Sequence, residues 1–174
     1  MFIFKKKYFF IIESIKDIDL KNIKNFGKYS IIYRNNSPEN IEILKKFRLK
    51  CKIQRIPFFV ANNVDLIKAL KADGLYISAY NKNLNSSYLK NNFKIIGSAH
   101  NLREIRVKET QKVEKIFLSS LFKKNKNYLG INKFKLLSKL TRKEIVVLGG
   151  ISEENLKKLK ILNLFEFAGI SYFE

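Results

Sequence analysis

Two short stretches near the end of the 174-residue chain carry the clearest chemical signal. Gly149-Gly150-Ile151-Ser152 runs into a helix start, and Gly169-Ile170-Ser171 follows it. Glycine lets the backbone come close to an anion, and the unpaired N–H groups of a helix N-terminus face that anion. Two such stretches together suit a phosphate, whereas a Gly-Gly pair alone is equally explained by a tight turn. His100 is the only histidine. As a general base it needs a partner and a substrate within reach; the alternative is a capping or hydrogen-bonding residue at a helix start. Cys51 is the only cysteine, so an internal disulfide is impossible, and a packing role suits it better than a nucleophilic one. No clustered His/Cys set suggests zinc.

The remaining polar candidates share a position: each follows a short apolar, β-branched or aromatic run. The runs are Tyr8 to Ile12, Tyr29 to Tyr33, Pro57 to Ala61, Gly74 to Ile77, Lys94 to Gly97, Lys115 to Ser119, Glu144 to Leu148 and Phe165 to Ile170. Most do not alternate, which is how parallel strands buried on both faces read. The stretches between them are amphipathic. Ser37-Pro38-Glu39 has the form of a helix start, with Ile43, Leu44 and Phe47 on one face. Asn62 or Asn63 caps a short helix with Val64, Ile67 and Leu70, and Asn101 caps another through Thr110. Phe134, Leu137 and Leu140 form a further stripe, and Ser152 opens a helix bearing Leu156, Leu159 and Leu162.

Eight near-equal strand-helix units predict one α/β domain over residues 1–174, a compact (β/α)8 TIM barrel of eight parallel strands rather than an open sheet. The barrel is short beside the typical length of about 250 residues. The sequence ends at Glu174, just past the eighth run, so the expectation is a last helix that is missing or minimal. In such a barrel the reacting groups lie at strand C-termini. There the chain offers Glu13 and Ser14; Arg34, Asn35 and Asn36; Asn62, Asn63 and Asp65; Ser78 and Asn81; Ser98 and His100; Ser119 and Ser120; Gly149 and Gly150; and Ser171. Most are hydrogen-bonding and few are acidic, which favours an anionic ligand.

The net charge of +20 invites a nucleic-acid reading. The lysines are spread along the whole chain, mostly on polar helix faces, so a solvated surface explains them better than a nucleic-acid footprint. Attraction of anionic small substrates is a third use of the charge. The apolar run Tyr8 to Ile12 is too short for a signal-peptide core or a membrane span, and the expectation is a soluble, cytoplasmic protein that does not engage a membrane.

From about Tyr29 to Phe173 these strand ends resemble the thiamine phosphate synthase/TenI superfamily. Arg34 matches the arginine after the second strand. Asn62-Asn63-Val64-Asp65-Leu66 resembles an Asn-Asp pair leading into a helix, and Ala72-Asp73-Gly74-Leu75-Tyr76-Ile77-Ser78 an Ala-Asp-Gly-x-His-x-Gly segment. Ile96-Gly97-Ser98-Ala99-His100 resembles a Gly-x-Ser-x-His stretch, Leu118 to Phe122 the sixth-strand loop, and Leu148 to Ile151 with Ala168 to Ser171 the final phosphate-binding ends.

The resemblance implies a transferase that joins a pyrimidine methyl diphosphate to a thiazole phosphate in thiamine biosynthesis and releases pyrophosphate, usually with Mg²⁺. It implies that Arg34, Asn62 and Ser98 hold the diphosphate, joined by Lys126 or Lys124 from a shortened loop. Gly149, Gly150, Ile170 and Ser171 would hold the thiazole phosphate. The two metal-binding aspartates correspond to Asn63 and Asn81, weaker ligands for a hard cation, with Asp65 and Asp73 the carboxylates that could substitute. A histidine used by the sister tautomerase branch corresponds to Ser120. Two alternatives stand beside the synthase: a non-catalytic barrel that binds a thiazole or pyrimidine phosphate, and a basic nucleic-acid-binding protein.

Overall fold

The computed structural model describes residues 7–20, 28–84, 93–162 and 166–169. Among the described residues eight strands are joined with five α-helices in the order β1 (Lys7–Ile12), β2 (Lys28–Tyr33), α1 (Ile41–Ile53), β3 (Phe58–Ala61), α2 (Val64–Leu70), β4 (Gly74–Ile77), β5 (Lys94–Ala99), α3 (Leu102–Thr110), β6 (Lys115–Ser119), α4 (Gly130–Lys139), β7 (Glu144–Leu148), α5 (Glu153–Ile161) and β8 (Glu166–Gly169). All neighbouring pairs are parallel, and β1 pairs with β8 from Lys7↔Glu166 to Phe10↔Gly169, so the sheet closes into the expected (β/α)8 barrel. Residues after Gly169, where a last helix was expected to be minimal, lie outside the described residues.

The closed sheet explains the non-alternating runs. Phe9, Ile11, Ile32, Phe59, Ala61, Tyr76, Ile96, Phe117, Val146 and Ala168 fill the barrel interior. The intervening residues, such as Tyr8, Phe10, Ile31 and Phe58, pack outward against the helices. Four of these ten interior residues are aromatic, with Phe9 and Phe117 edge-to-face at 4.8 Å and Tyr76 on Phe117 at 5.4 Å. At the N-terminal end, the first residues of four strands form a charged seam. Lys115 bonds Glu144 and Glu166, and Lys7 pairs with Glu166.

Three local expectations are corrected. The helix does not start at Ser37-Pro38: Asn40 is the cap and accepts from the Glu42 N–H, because Glu39 is drawn away to accept from Ser14 Oγ at 2.6 Å. The buried face of α1 is Leu44, Phe47, Arg48 and Cys51, which leaves Ile43 exposed. Leu140 lies beyond the last turn of α4 and is also exposed, so only Phe134 and Leu137 of that stripe are buried. Of the two possible caps of α2, Asn63 is the one used.

Two buried ionisable groups set how stability responds to alkali. Burial pushes the Cys51 thiol up to about 12 from 9.0. Burial also pulls the Lys108 ammonium down to about 8 from 10.5, opposed by the Glu104 charge. Between about pH 8 and pH 10.5 the unfolded chain holds a proton on Lys108 that the folded chain has released, so stability rises with pH. Above about pH 9 the unfolded chain loses the Cys51 proton that the folded chain keeps, and this opposes the rise. Urea midpoints are therefore expected to climb by about 1 kcal/mol of stability from pH 8 to 9 and then level off. In Cys51→Ala the climb should extend past pH 9. A wild-type curve that falls from pH 8 would contradict the Lys108 assignment, and a climb unchanged past pH 9 in the wild type would contradict that of Cys51.

Candidate functional site

Strand periodicity builds the mouth of the barrel. Interior residues recur every second position, so extending each strand by one or two further steps aims a known set of side chains over the core. From Ile11 the next such position is Glu13; from Ile32, Arg34 and Asn36; from Tyr76, Ser78; from Ile96, Ser98 and His100; from Phe117, Ser119; from Val146, Leu148. All of these line one cavity of about 750 Å³ at the C-terminal ends of the strands, with Tyr76 itself among its walls. Loop residues Asn35, Ser37, Ala79, Tyr80, Lys126 and Asn127 and the helix residue Glu104 complete the lining.

The charges are paired in a way that fixes them. Arg34 Nη2 lies 3.3 Å from Glu13 Oε1, and Asn35 Nδ2 donates to the Glu13 carbonyl at 2.7 Å, tying the loops after β1 and β2 together. Glu104 Oε2 accepts from the His100 N–H at 2.7 Å and lies 2.9 Å from His100 Nδ1. His100 is thus a hydrogen-bonding residue at a helix start that also faces the cavity. Burial holds the Tyr76 phenol above its ordinary value, partly offset by its bond to Ser98 and by the Arg34 charge. Tyr76 is therefore a neutral hydroxyl throughout the physiological range.

Of the residues assigned from sequence, Arg34, Ser98 and Lys126 meet in this cavity. Asn62 stands behind its wall. With φ at 56°, it leaves the extended path and turns its amide onto the β4 loop: Nδ2 donates to Ser78 Oγ at 2.7 Å and to Tyr80 Oη at 3.1 Å. Its Oδ1 accepts from the Ser78 N–H at 3.0 Å and from Asn81 Nδ2 at 3.1 Å. Lys124 is exposed and outside the lining. Gly149 and Gly150 adjoin the lining residue Leu148, with φ of +101° and +75°. Their closest neighbours belong to the β6 loop, whose Phe122 and Lys123 N–H groups both donate to the Gly149 carbonyl. Ile170 and Ser171 lie outside the described residues.

The positions implied for magnesium do not fit a resident ion. Asn63 Oδ1 accepts from the Leu66 N–H as the α2 cap, and Asn81 Oδ1 accepts from the Asn83 N–H. Neither proposed substitute helps. Asp65 is in the first turn of α2, and Asp73 precedes β4 at the opposite end of the barrel, where it binds Arg48 and the Phe58 N–H. Among the described residues no group of three or more His, Cys, Asp or Glu could hold a metal. Among the described residues no helix is long and apolar enough to cross a membrane.

Sequence reasoning missed Tyr76, Tyr80, Glu104 and Asn127 as cavity residues. Two signals were available: Tyr76 shares the inward parity of Ser78, and Asn101-x-x-Glu104 is a capping pair that turns Glu104 back toward the strand end.

Comparisons with known proteins bear on the family and the barrel fold. The family model described as thiamine monophosphate synthase matches residues 19–173. The chain is 28% identical over 142 residues to the thiamine-phosphate synthase of Methanococcus vannielii, covering 79% of this chain and 69% of that one. It is 29% identical over 127 residues to that of Persephonella marina, covering 70% of this chain and 59% of the relative. The chain thus spans roughly three fifths to two thirds of these relatives' lengths. In structure it is similar to the thiamine phosphate pyrophosphorylase of Pyrococcus furiosus, with a TM-score of 0.75 at 20% identity over 96% of this chain and 86% of that one. It also shares the fold of a phosphoribosyl anthranilate isomerase, with a TM-score of 0.67 at 11% identity over 96% of this chain and 88% of the other. With the family model spanning nearly the whole barrel, the chain belongs to the thiamine monophosphate synthase family.

Proposed function

We propose that the chain is a divergent thiamine-phosphate synthase that couples a pyrimidine methyl diphosphate to a thiazole phosphate. The observation that carries this reading is the convergence of Arg34 and Lys126, from two different loops, on a cavity also walled by the Ser78, Ser98 and Ser119 hydroxyls. Two cations and several hydroxyl donors suit a diphosphate, whose negative charge grows as it leaves. In the reaction the pyrimidine methylene C–O bond breaks and its electron pair leaves with pyrophosphate. The thiazole nitrogen then supplies the pair for the new C–N bond. In this reading Arg34 and Lys126 stabilise the leaving group, Ser98 orients it with Asn62 braced behind, and the Gly149-Gly150 turn with Ile170 and Ser171 receives the thiazole phosphate. Lys124, at the same loop, contributes long-range attraction.

The test incubates both phosphorylated substrates with the protein, with and without Mg²⁺, and measures thiamine phosphate and pyrophosphate together. Equal release of both is expected. The engaged Asn63 and Asn81 oxygens favour a second reading, a non-catalytic member that binds a thiazole or pyrimidine phosphate. Absence of product at high protein concentration, with phosphate binding retained, would establish that second reading and refute the first.

A further inference from the structure

Lys108 on α3 and Gln111 at its C-cap are both completely buried, with 0% exposure. Among the described residues Lys108 forms no salt bridge; its Nζ donates to the Asn81 carbonyl and to Gln111 Oε1, each at 2.8 Å. Gln111 Nε2 donates to the Asn81 carbonyl at 3.0 Å and to the Asn83 carbonyl at 2.8 Å. Gly97 on β5 clears the path of the lysine stem, since a Cβ there would meet Lys108 Cδ at 2.9 Å. A buried ammonium held only by neutral acceptors is costly, and an apolar side chain of similar volume would serve the packing better. What the pair gains is a grip on one backbone segment, the loop after β4.

That segment forms a wall of the cavity. Ser78, Ala79 and Tyr80 line it, and Asn81 Nδ2 reaches back to Asn62 Oδ1. Asn62 in turn holds Ser78 and Tyr80. A continuous network therefore runs from the interior of α3 to the cavity surface, and neither Lys108 nor Gln111 touches the cavity itself. We propose that Lys108 and Gln111 are positioning residues that lock the β4 loop and so preorganise the Asn62–Ser78–Tyr80 wall for substrate.

The kinetic part of the test rests on the synthase reading; the exchange part does not. In Lys108→Met the amide hydrogen exchange of residues 78–84 is expected to quicken about tenfold, as a locally loosened segment does. The KM for the pyrimidine diphosphate is expected to rise about tenfold with kcat within about threefold. The thermal midpoint at pH 7 should stay the same or rise. Gln111→Leu, which leaves Lys108 in place, should give the same pattern. If the wild-type protein makes no thiamine phosphate, the synthase reading fails while exchange at 78–84 and pyrophosphate affinity still decide the positioning role. Unchanged exchange and unchanged KM in both variants would overturn it. Loss of the fold in both would overturn it too, since the pair would then hold the barrel rather than the loop.

Discussion

Arg34→Ala is expected to lower kcat/KM for the pyrimidine diphosphate by about 100-fold or more and to weaken pyrophosphate binding in parallel. The guanidinium is fixed in the cavity by Glu13 and extends from the inward parity of β2. A charge-assisted, two-pronged contact to a diphosphate is worth a few kcal/mol, and each 1.36 kcal/mol is about tenfold in rate. Arg34→Lys keeps the charge but loses the fork, so it should fall between the two. Glu13→Gln is the informative counterpart. It removes the competing carboxylate, and the affinity for pyrophosphate should increase by about threefold, the weak effect expected of a partly exposed ion pair. Calorimetry with pyrophosphate reads all three variants. An Arg34→Ala protein that binds pyrophosphate like the wild type would show that the diphosphate sits elsewhere.

Arg34 also illustrates how far the sequence goes. Its place at a strand end was legible because the run Tyr29 to Tyr33 has no alternation and stops at a polar cluster. The same logic located all eight strands, and β4, β6 and β7 have the expected limits. Alternation returned in a hidden form: Phe9, Ile11 and Glu13, or Ile96, Ser98 and His100, share one face that only barrel closure distinguishes from the other. Once closure is known, parity selects cavity residues from the longer set of strand-end polar groups.

Parity fails where the backbone leaves the extended path. Asn63 has the inward parity of Phe59 and Ala61, yet Asn62 enters the left-handed region and Asn63 spends its oxygen on the helix cap. Capping competed with site chemistry, and nothing in the run of residue types decides between them. The Ser37-Pro38-Glu39 start failed for a different reason. A good local cap lost to a contact between Glu39 and Ser14, residues 25 apart in the chain. The Lys108–Gln111 grip was invisible for the same reason, because the loop acceptors it holds are main-chain carbonyls 27 to 30 residues away.

The glycine turn after β7 supplies the other large effect. Gly149 has φ at +101°, a region costly for any residue with a Cβ, and a Cβ there would lie 2.3 Å from Ser120 Oγ and 2.9 Å from Ser120 Cα. Gly149→Ala must therefore both strain its own backbone and displace the β6 loop, which brings Ser119, Lys126 and Asn127 to the cavity. A loss of about 3 kcal/mol of stability is expected, from roughly 1–3 kcal/mol of backbone strain plus a similar overpacking cost. Activity per folded molecule should also fall, because Lys126 moves with the loop. The two causes can be separated. Ser120→Gly removes the hydroxyl in the closest contact but not the backbone strain, so the double variant should recover part of the stability lost by Gly149→Ala. A double-mutant cycle should give a coupling of about 1 kcal/mol or more between neighbours in such contact. Additive effects would mean that the turn relaxes away from Ser120 at no cost. The glycines would then be required by their dihedral angles alone, and the phosphate-binding role proposed for the turn would lose the rigid support of the β6 loop.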